Sequence, residues 1–195
     1  MQTLSEAAVL SKAALRDAAL ARRDALPIEA RIEASLAVAA LFPLDRIAVA
    51  GRIVSGFLPI QSEIDVRPLL DRLCAAGARL ALPAFPSRTT PMVFRLMERG
   101  APLVPMGFGT FGPDASAPEV EPDILITPLA AFDAAFNRIG YGKGHYDRAF
   151  ARLDATVRRL AIGVAFSVQQ VEVIPVEPHD RRLDAILTET GYRAP

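Results

Sequence analysis

The run Asp123–Thr127, DILIT, is the tightest constraint on the fold, because Ile, Leu and Ile in succession leave no polar face for water. A strand written that way is stable between two covering layers, as in parallel sheets that carry helices on both faces. Similar runs recur. Arg46–Val54, Arg79–Leu82, Met92–Met97, Arg159–Phe166 and Ala185–Thr188 all read as strands from their β-branched and apolar content. Helical patterns separate them: Ser5–Leu26, rich in Ala, Leu and Arg with no Gly or Pro; a second segment opened by Pro27 and running to Leu41; and Asp147–Leu153. A further helix follows Asp65, a capping residue, with Pro68 in its first turn and Gly77 just past its end. This alternation predicts an α/β fold: a single domain with an open, mostly parallel sheet and helices on both faces. A chain of 195 residues suits one such domain.

Charge and cysteine content exclude several classes of function. With 22 basic and 22 acidic residues the formal net charge is zero, so no broad field draws the protein to nucleic acid or an anionic membrane. The lone Cys74 forms no internal disulfide, and two histidines make no zinc cluster of familiar spacing. No apolar run approaches the roughly 18 to 20 residues of a spanning helix, and Glu6, Asp17 and Asp24 are acids that a mitochondrial leader avoids. A cytoplasmic monomer acting on small molecules, without nucleic-acid or membrane partners, is expected.

All the basic residues except Lys12 and Lys143 are arginine. In so biased a chain a lysine marks a position that favours a compact ammonium over a planar fork, as phosphate sites often do, or else a chance survivor. Lys143 lies in Asn137–Phe150, NRIGYGKGHYDRAF, where Gly140, Gly142 and Gly144 alternate through a loop that leads into a helix. Glycines let successive backbone N–H groups turn toward one anion, and the following helix adds its partial positive charge. Arg138 and Lys143 complete an anion site whose spacing matches neither a P-loop nor a dinucleotide fingerprint. Asp147, at the end of the loop, suits Mg²⁺ beside a polyphosphate, or equally a helix cap.

Lys12 and Arg16, one helical turn apart, repel by about 0.2–0.5 kcal/mol unless an anion lies between them. Arg22 and Arg23 nearby favour a solvated basic face instead. Glu63 stands at the end of a strand pattern, where open α/β sheets place ligand-binding residues, or is a solvent-facing acid. Asp180 could reach a metal or remain a surface acid, and neither His145 nor His179 is assigned a catalytic role. Five prolines and four glycines between Gly100 and Pro122 suggest a long ordered loop over the active site.

These segments together resemble the 5-formyltetrahydrofolate cyclo-ligase (methenyltetrahydrofolate synthetase) family over nearly the whole chain. The resemblance rests on KxxLR at 12–16, SEID at 62–65, ALPAF at 81–85, DILITPLAAFD at 123–133, RIGYGKGHYDR at 138–148 and HDRRLDAILTE at 179–189. It implies ATP- and Mg²⁺-dependent closure of 5-formyltetrahydrofolate to 5,10-methenyltetrahydrofolate with release of ADP and phosphate. By position it puts Lys12, Arg16, Arg138, Ile139, Gly140, Tyr141, Gly142, Lys143, Gly144, His145 and Tyr146 on ATP, and Asp147 and Asp180 on Mg²⁺. Leu58, Glu63 and the stretch Tyr141, Gly142, Lys143, Gly144 and His145 are implied to meet the folate, with Lys143 and Arg138 as catalytic residues. The sequence departs from the family pattern at His145, where tyrosine is usual, at Val66, where threonine is usual, and at Gly112, where Glu or Gln is common. A related phosphotransferase, or a folate- or nucleotide-binding protein without turnover, would share the same residues.

Overall fold

The computed structural model describes residues 11–85, 90–98, 100–107, 109–177 and 180–195. Its centre is an eight-stranded sheet. Five strands form the parallel core: β1 (Ile53–Ser55), β2 (Arg79–Ala84), β7 (Ile124–Pro128), β10 (Leu160–Val164) and β11 (Ala185–Thr188). Antiparallel strands close the edges: β12 (Gly191–Arg193) on one side, β3 (Val93–Leu96) and β6 (Glu119–Val120) on the other. The spatial order is β12-β11-β10-β7-β1-β2-β3-β6.

The DILIT pattern works as its composition demands. Ile124 and Ile126 face one layer, made by α2 (Ile28–Leu41) and α3 (Arg67–Ala75), while Leu125 faces the other, made by α4 (His145–Leu153) through Ala149, Phe150 and Leu153. All three strand residues are fully buried. The open, mostly parallel sheet with helices on both faces is therefore as expected. Helix α1 (Lys12–Asp24) lies apart from both layers, packing Leu15 and Ala19 on Ala131, Ile139 and Ile174. No helix of the described residues is long and apolar enough to cross a membrane.

Several boundaries differ from the sequence pattern. Within Arg46–Val54, residues 44–46 form a turn and Gly51 takes a left-handed φ of +75°. Ile47 and Val49 are buried there as loop residues, so their apolar character serves the core rather than a strand. Ser11 caps α1 by accepting from the Ala14 N–H at 3.2 Å, which sets the helix start at Lys12; Ser5–Leu10 lie outside the described residues. Asp65 acts from one residue farther out than a cap, taking the Arg67 N–H at 2.9 Å, and Pro68 occupies the first turn of α3 as expected. Helix α4 begins at His145, with Gly144 as its N-cap, so Asp147 is not the cap.

The expected loop at 100–122 contains a β-hairpin, β4 (Leu103–Gly107) and β5 (Thr110–Pro113), as well as β6. Prolines fit here because the hairpin stands outside the main sheet and has open edges. A second small hairpin, β8 (Ala131–Phe132) and β9 (Arg138–Ile139), follows β7, and a 3-10 turn at Ser167–Gln169 follows β10. Leu125→Ala, which empties a fully buried position on the central strand, is expected to cost about 2–5 kcal/mol of stability, measured by urea unfolding.

Candidate active site at the sheet's switch point

From β1 the chain moves outward to β2 on one side, and from β7 it moves to β10 and β11 on the other. The carboxyl ends of β1 and β7 therefore diverge and leave a crevice, the usual ligand site of open α/β sheets. A cavity of about 290 Å³ occupies it. Phe57, Leu58 and Ile60 after β1, Pro128 at the end of β7, and Pro83 and Phe85 at the end of β2 form its apolar floor. Thr110 and Phe111 of the β4–β5 hairpin line one wall, and half of Phe111 remains exposed.

A buried carboxylate sets the opposite wall. Asp133 Oδ1 accepts from the Ala135 and Asn137 N–H groups, each at 2.9 Å, and Oδ2 from Asn137 Nδ2 at 2.9 Å and the Ile174 N–H at 3.0 Å. These bonds shape the β8–β9 turn, in which Phe136 is left-handed at φ +66°, and send Arg138 and the glycine loop back toward the crevice. Gly142 at φ +83° and Gly144 at φ +62° complete the return. A Cβ on Gly142 would stand 3.4 Å from Arg16 Nη1, so the arginine lies close over the loop, and Arg16 Nε donates to the Gly140 carbonyl at 3.1 Å. The loop ends at the start of α4, whose N-cap offers no side-chain acceptor to the first-turn N–H groups. Such an end attracts anions.

Charged groups ring this end. Arg138 is almost fully buried, donates to Asp147 and to the Arg181 carbonyl, and stacks over Phe150 with 4.9 Å to the ring centroid. Burial lowers its pKa, and the Asp147 charge opposes that shift. Lys12 Nζ pairs with Asp180 Oδ2 at 2.6 Å and Glu177 Oε1 at 3.1 Å. Burial opposes its charge, but the two carboxylates outweigh burial and raise its pKa. Lys143 is exposed on the pocket wall, and its ammonium joins none of the ion pairs of the described residues. His145 sits edge-on to Phe85 at 4.8 Å between ring centroids, with Nδ1 3.1 Å from Arg148 Nη2. Burial, then Arg148 and Lys143, lower its pKa. The Tyr146 hydroxyl is buried in the same wall without a hydrogen-bond partner among the described residues, an orphan that a bound ligand can satisfy.

In the same cavity lining, Glu63 receives the Ile60 N–H at 2.9 Å, and the hydroxyl of Tyr141 acts on its charge. Burial raises the Glu63 pKa, partly offset by those two donors and by the charge of Arg23. Burial, then Glu63, raise the pKa of Tyr141 as well, so its phenol stays protonated.

With this geometry in place, comparison with known proteins is decisive. The model of the 5-formyltetrahydrofolate cyclo-ligase family matches residues 8–189. The chain belongs to that family. Similar cyclo-ligases include the 5-formyltetrahydrofolate cyclo-ligase of Escherichia coli K12, 34% identical over 145 residues that cover 72% of this chain and 79% of that protein. The Mycolicibacterium smegmatis protein of the same name is 31% identical over 185 residues, 91% of this chain and 93% of its own. The structure of Aquifex aeolicus 5,10-methenyltetrahydrofolate synthetase superposes with a TM-score of 0.78 at 28% identity, covering 94% of this chain and 92% of that one.

In this cyclo-ligase-family chain the pocket brings together Leu58, Glu63, Arg138, Gly140, Tyr141, Lys143, Gly144, His145, Tyr146 and Asp147. Ile139 is buried behind the wall, and Gly142 turns toward Arg16. Lys12, Arg16 and Asp180 flank the loop from outside the cavity lining; His179 lies outside the described residues. The solvated basic face suggested by Arg22 and Arg23 holds for Arg22 alone, which is exposed while donating to the Val168 and Gln170 carbonyls at 2.7 and 3.1 Å, whereas Arg23 is buried. The sequence reading missed Arg23, Phe85 and Phe111 as site residues. Phe111 gives no local signal, whereas Arg23 falls on the same helix face as Lys12 and Arg16, which an eleven-residue spacing reveals.

A folded-state pKa raised by burial means that ionising Glu63 costs stability. The contribution of its protonated form is complete below the ordinary glutamate range and is lost as pH rises through the raised value. Glu63→Gln is therefore expected to unfold at a higher temperature than the parent at neutral pH, with the gain shrinking as pH falls toward about 4. Thermal unfolding across that range checks it, and a gain independent of pH would assign the effect to packing.

Proposed function

We propose that this chain closes 5-formyltetrahydrofolate to 5,10-methenyltetrahydrofolate, using ATP as co-substrate and releasing ADP and phosphate. Family membership supports the reaction class. The observation that carries the assignment of parts is that the glycine loop, the start of α4 and Glu63 all line one switch-point cavity. The loop suits phosphates; Glu63 suits a ring with N–H donors.

The chemistry needs a formamide oxygen to become a leaving group. That oxygen attacks the γ-phosphorus of ATP and ADP departs; nitrogen 10 of the folate then bonds to the formyl carbon and loses its proton, and the oxygen leaves with the phosphoryl group as phosphate. Such transfers depend on positioning and charge neutralisation more than on covalent help from the protein. The loop N–H groups and Arg16 hold the polyphosphate, Lys143 carries a free ammonium to the transferred phosphoryl group, and Arg138 fixes Asp147 at the loop's end. Glu63 accepts N–H bonds from the pterin, Leu58 and Phe85 pack its ring, and the Tyr146 hydroxyl finds a partner in the bound ligand.

The residues present also fit Mg²⁺. Asp147 and Asp180 offer hard oxygen donors, both act on Arg138, and each is now balanced by a cation. No group of three or more His, Cys, Asp or Glu gathers for a metal among the described residues, which suits an ion held by two carboxylates together with nucleotide oxygens and water. When bound, Mg²⁺ would neutralise charge on the phosphates.

The test is the near-ultraviolet absorbance of methenyltetrahydrofolate formed from 5-formyltetrahydrofolate and Mg·ATP, with ATP omitted as control. ATP-dependent product supports the assignment, whereas ADP release without methenyl product would make the protein a phosphotransferase for another substrate. Lys143→Ala is expected to lower kcat by about 10²–10³ while unfolding at the parent's temperature, because the side chain is exposed and unpaired among the described residues. Asp147→Asn is expected to raise the Mg²⁺ concentration needed for half-maximal rate more than the KM for folate; an unchanged requirement would leave Asp147 as the partner of Arg138 alone.

A further inference from the structure

Arg23 is the largest polar side chain in the buried set, with 1% of its surface exposed. It lies in the last turn of α1, and its guanidinium reaches Tyr141, which lines the cavity. Nη1 donates to the Tyr141 hydroxyl at 2.6 Å, Nε donates to Ser62 Oγ at 2.9 Å, and Nε and Nη2 each reach Asp24 Oδ1 at 3.2 Å. Ser62 also donates to Asp24, so serine, aspartate and arginine form a closed cluster behind the pocket. A phenol that accepts from an arginine has its own proton left to give, and Tyr141 lines the same pocket as Glu63, whose pKa it lowers. The chain Arg23 to Tyr141 to Glu63 runs from a fixed positive charge to a carboxylate at the cavity surface. Its direction is set, because arginine has no acceptor.

We propose that Arg23 is a positioning residue for the substrate pocket: acting through Tyr141, it holds the Glu63 carboxylate aimed at a ligand that presents adjacent N–H donors. Glu63 is otherwise unfavourably placed for a charge, since desolvation favours its protonated form. Protonated, it would offer a donor where the pterin also has donors. The titratable and charged groups around it come from four elements: from α1, Arg23 and, behind it, Asp24; from the glycine loop, Tyr141 and Lys143; from α4, His145, Tyr146 and Asp147; and from β9, Arg138. All of these except the substituted residue are common to parent and variant, so a difference between them reports Glu63.

The inference rests on the pterin role proposed for Glu63, and its test separates the two. With ¹³C-labelled glutamate, the Glu63 carboxyl resonance, assigned by its loss in Glu63→Gln, is titrated in the parent and in Arg23→Met. The midpoint is expected to move up by about one pH unit or more in Arg23→Met and to return partway in Arg23→Lys. An unmoved midpoint overturns the relay, whatever the substrate. In parallel, KM for 5-formyltetrahydrofolate is measured as pH is lowered. Arg23→Met is expected to show the rise in KM at higher pH than the parent, reaching about tenfold where Glu63 is protonated in the variant alone, with KM for ATP unchanged. Equal rises for both substrates overturn a role specific to the folate side. Tyr141→Phe keeps the arginine and removes the bridging hydroxyl; it is expected to reproduce both effects, and it decides the matter should Arg23→Met not fold. A parent that converts no 5-formyltetrahydrofolate would overturn the function proposed above and, with it, the folate side of this inference, while the resonance midpoint would still decide the relay.

Discussion

The burial of β7 on both faces is the constraint from which the rest of the structure follows. Ile124 and Ile126 need the α2 and α3 layer, Leu125 needs α4, and the strand can be satisfied only in the middle of the sheet. Once β7 is central, β1 and β10 pair on its two sides, and the chain's outward progression from each side opens the crevice between β1 and β7. A core requirement thus creates the binding site. No residue of the pocket has to be spent on making the opening itself.

What fills the crevice is held by polar groups that are buried but satisfied. Asp133 takes four donors and so fixes the hairpin that carries Arg138 and the glycine loop. Arg138 is in turn gripped by Asp147, by the Arg181 carbonyl and by the face of Phe150, which also stacks against Arg181 at 4.8 Å. Low local dielectric makes such a network costly to break and therefore rigid. Rigidity here is useful, because phosphoryl transfer depends on reacting atoms being held in line. Lys143 and the Tyr146 hydroxyl stand apart from this network, one exposed and one buried, and both residues line the cavity.

The two carboxylates proposed to hold Mg²⁺ illustrate how charge is balanced in the site. Asp147 and Asp180 would repel a polyphosphate if bare, but Arg138 and Lys12 cover them. Were Mg²⁺ bound, Asp147 and Asp180 would be the residues to hold it, and it would supply charge neutralisation at the phosphates. The contacts of Lys12 here are to acids, and the repulsion expected between Lys12 and Arg16 is relieved by Asp180, Glu177 and the Gly140 carbonyl.

The sequence by itself determined the layer architecture, because a strand apolar on both faces must lie inside, and it determined the glycine loop, because alternate glycines before a helix have a local geometric meaning. It also marked Lys143 through the scarcity of lysine. Tertiary structure decided the rest. Whether 100–122 was a loop or a hairpin depended on partners far along the chain; whether Ile47 and Val49 joined a strand depended on Gly51 turning the backbone away from a ladder. Arg23 shows the limit most clearly. Beside Arg22 it reads as a surface charge, and only the approach of Ser62 and Tyr141, 39 and 118 residues away in the chain, provides the hydrogen bonds that make its burial favourable. Local patterns fix what a segment prefers, whereas the compensation of a buried charge is a long-range property that one segment does not contain.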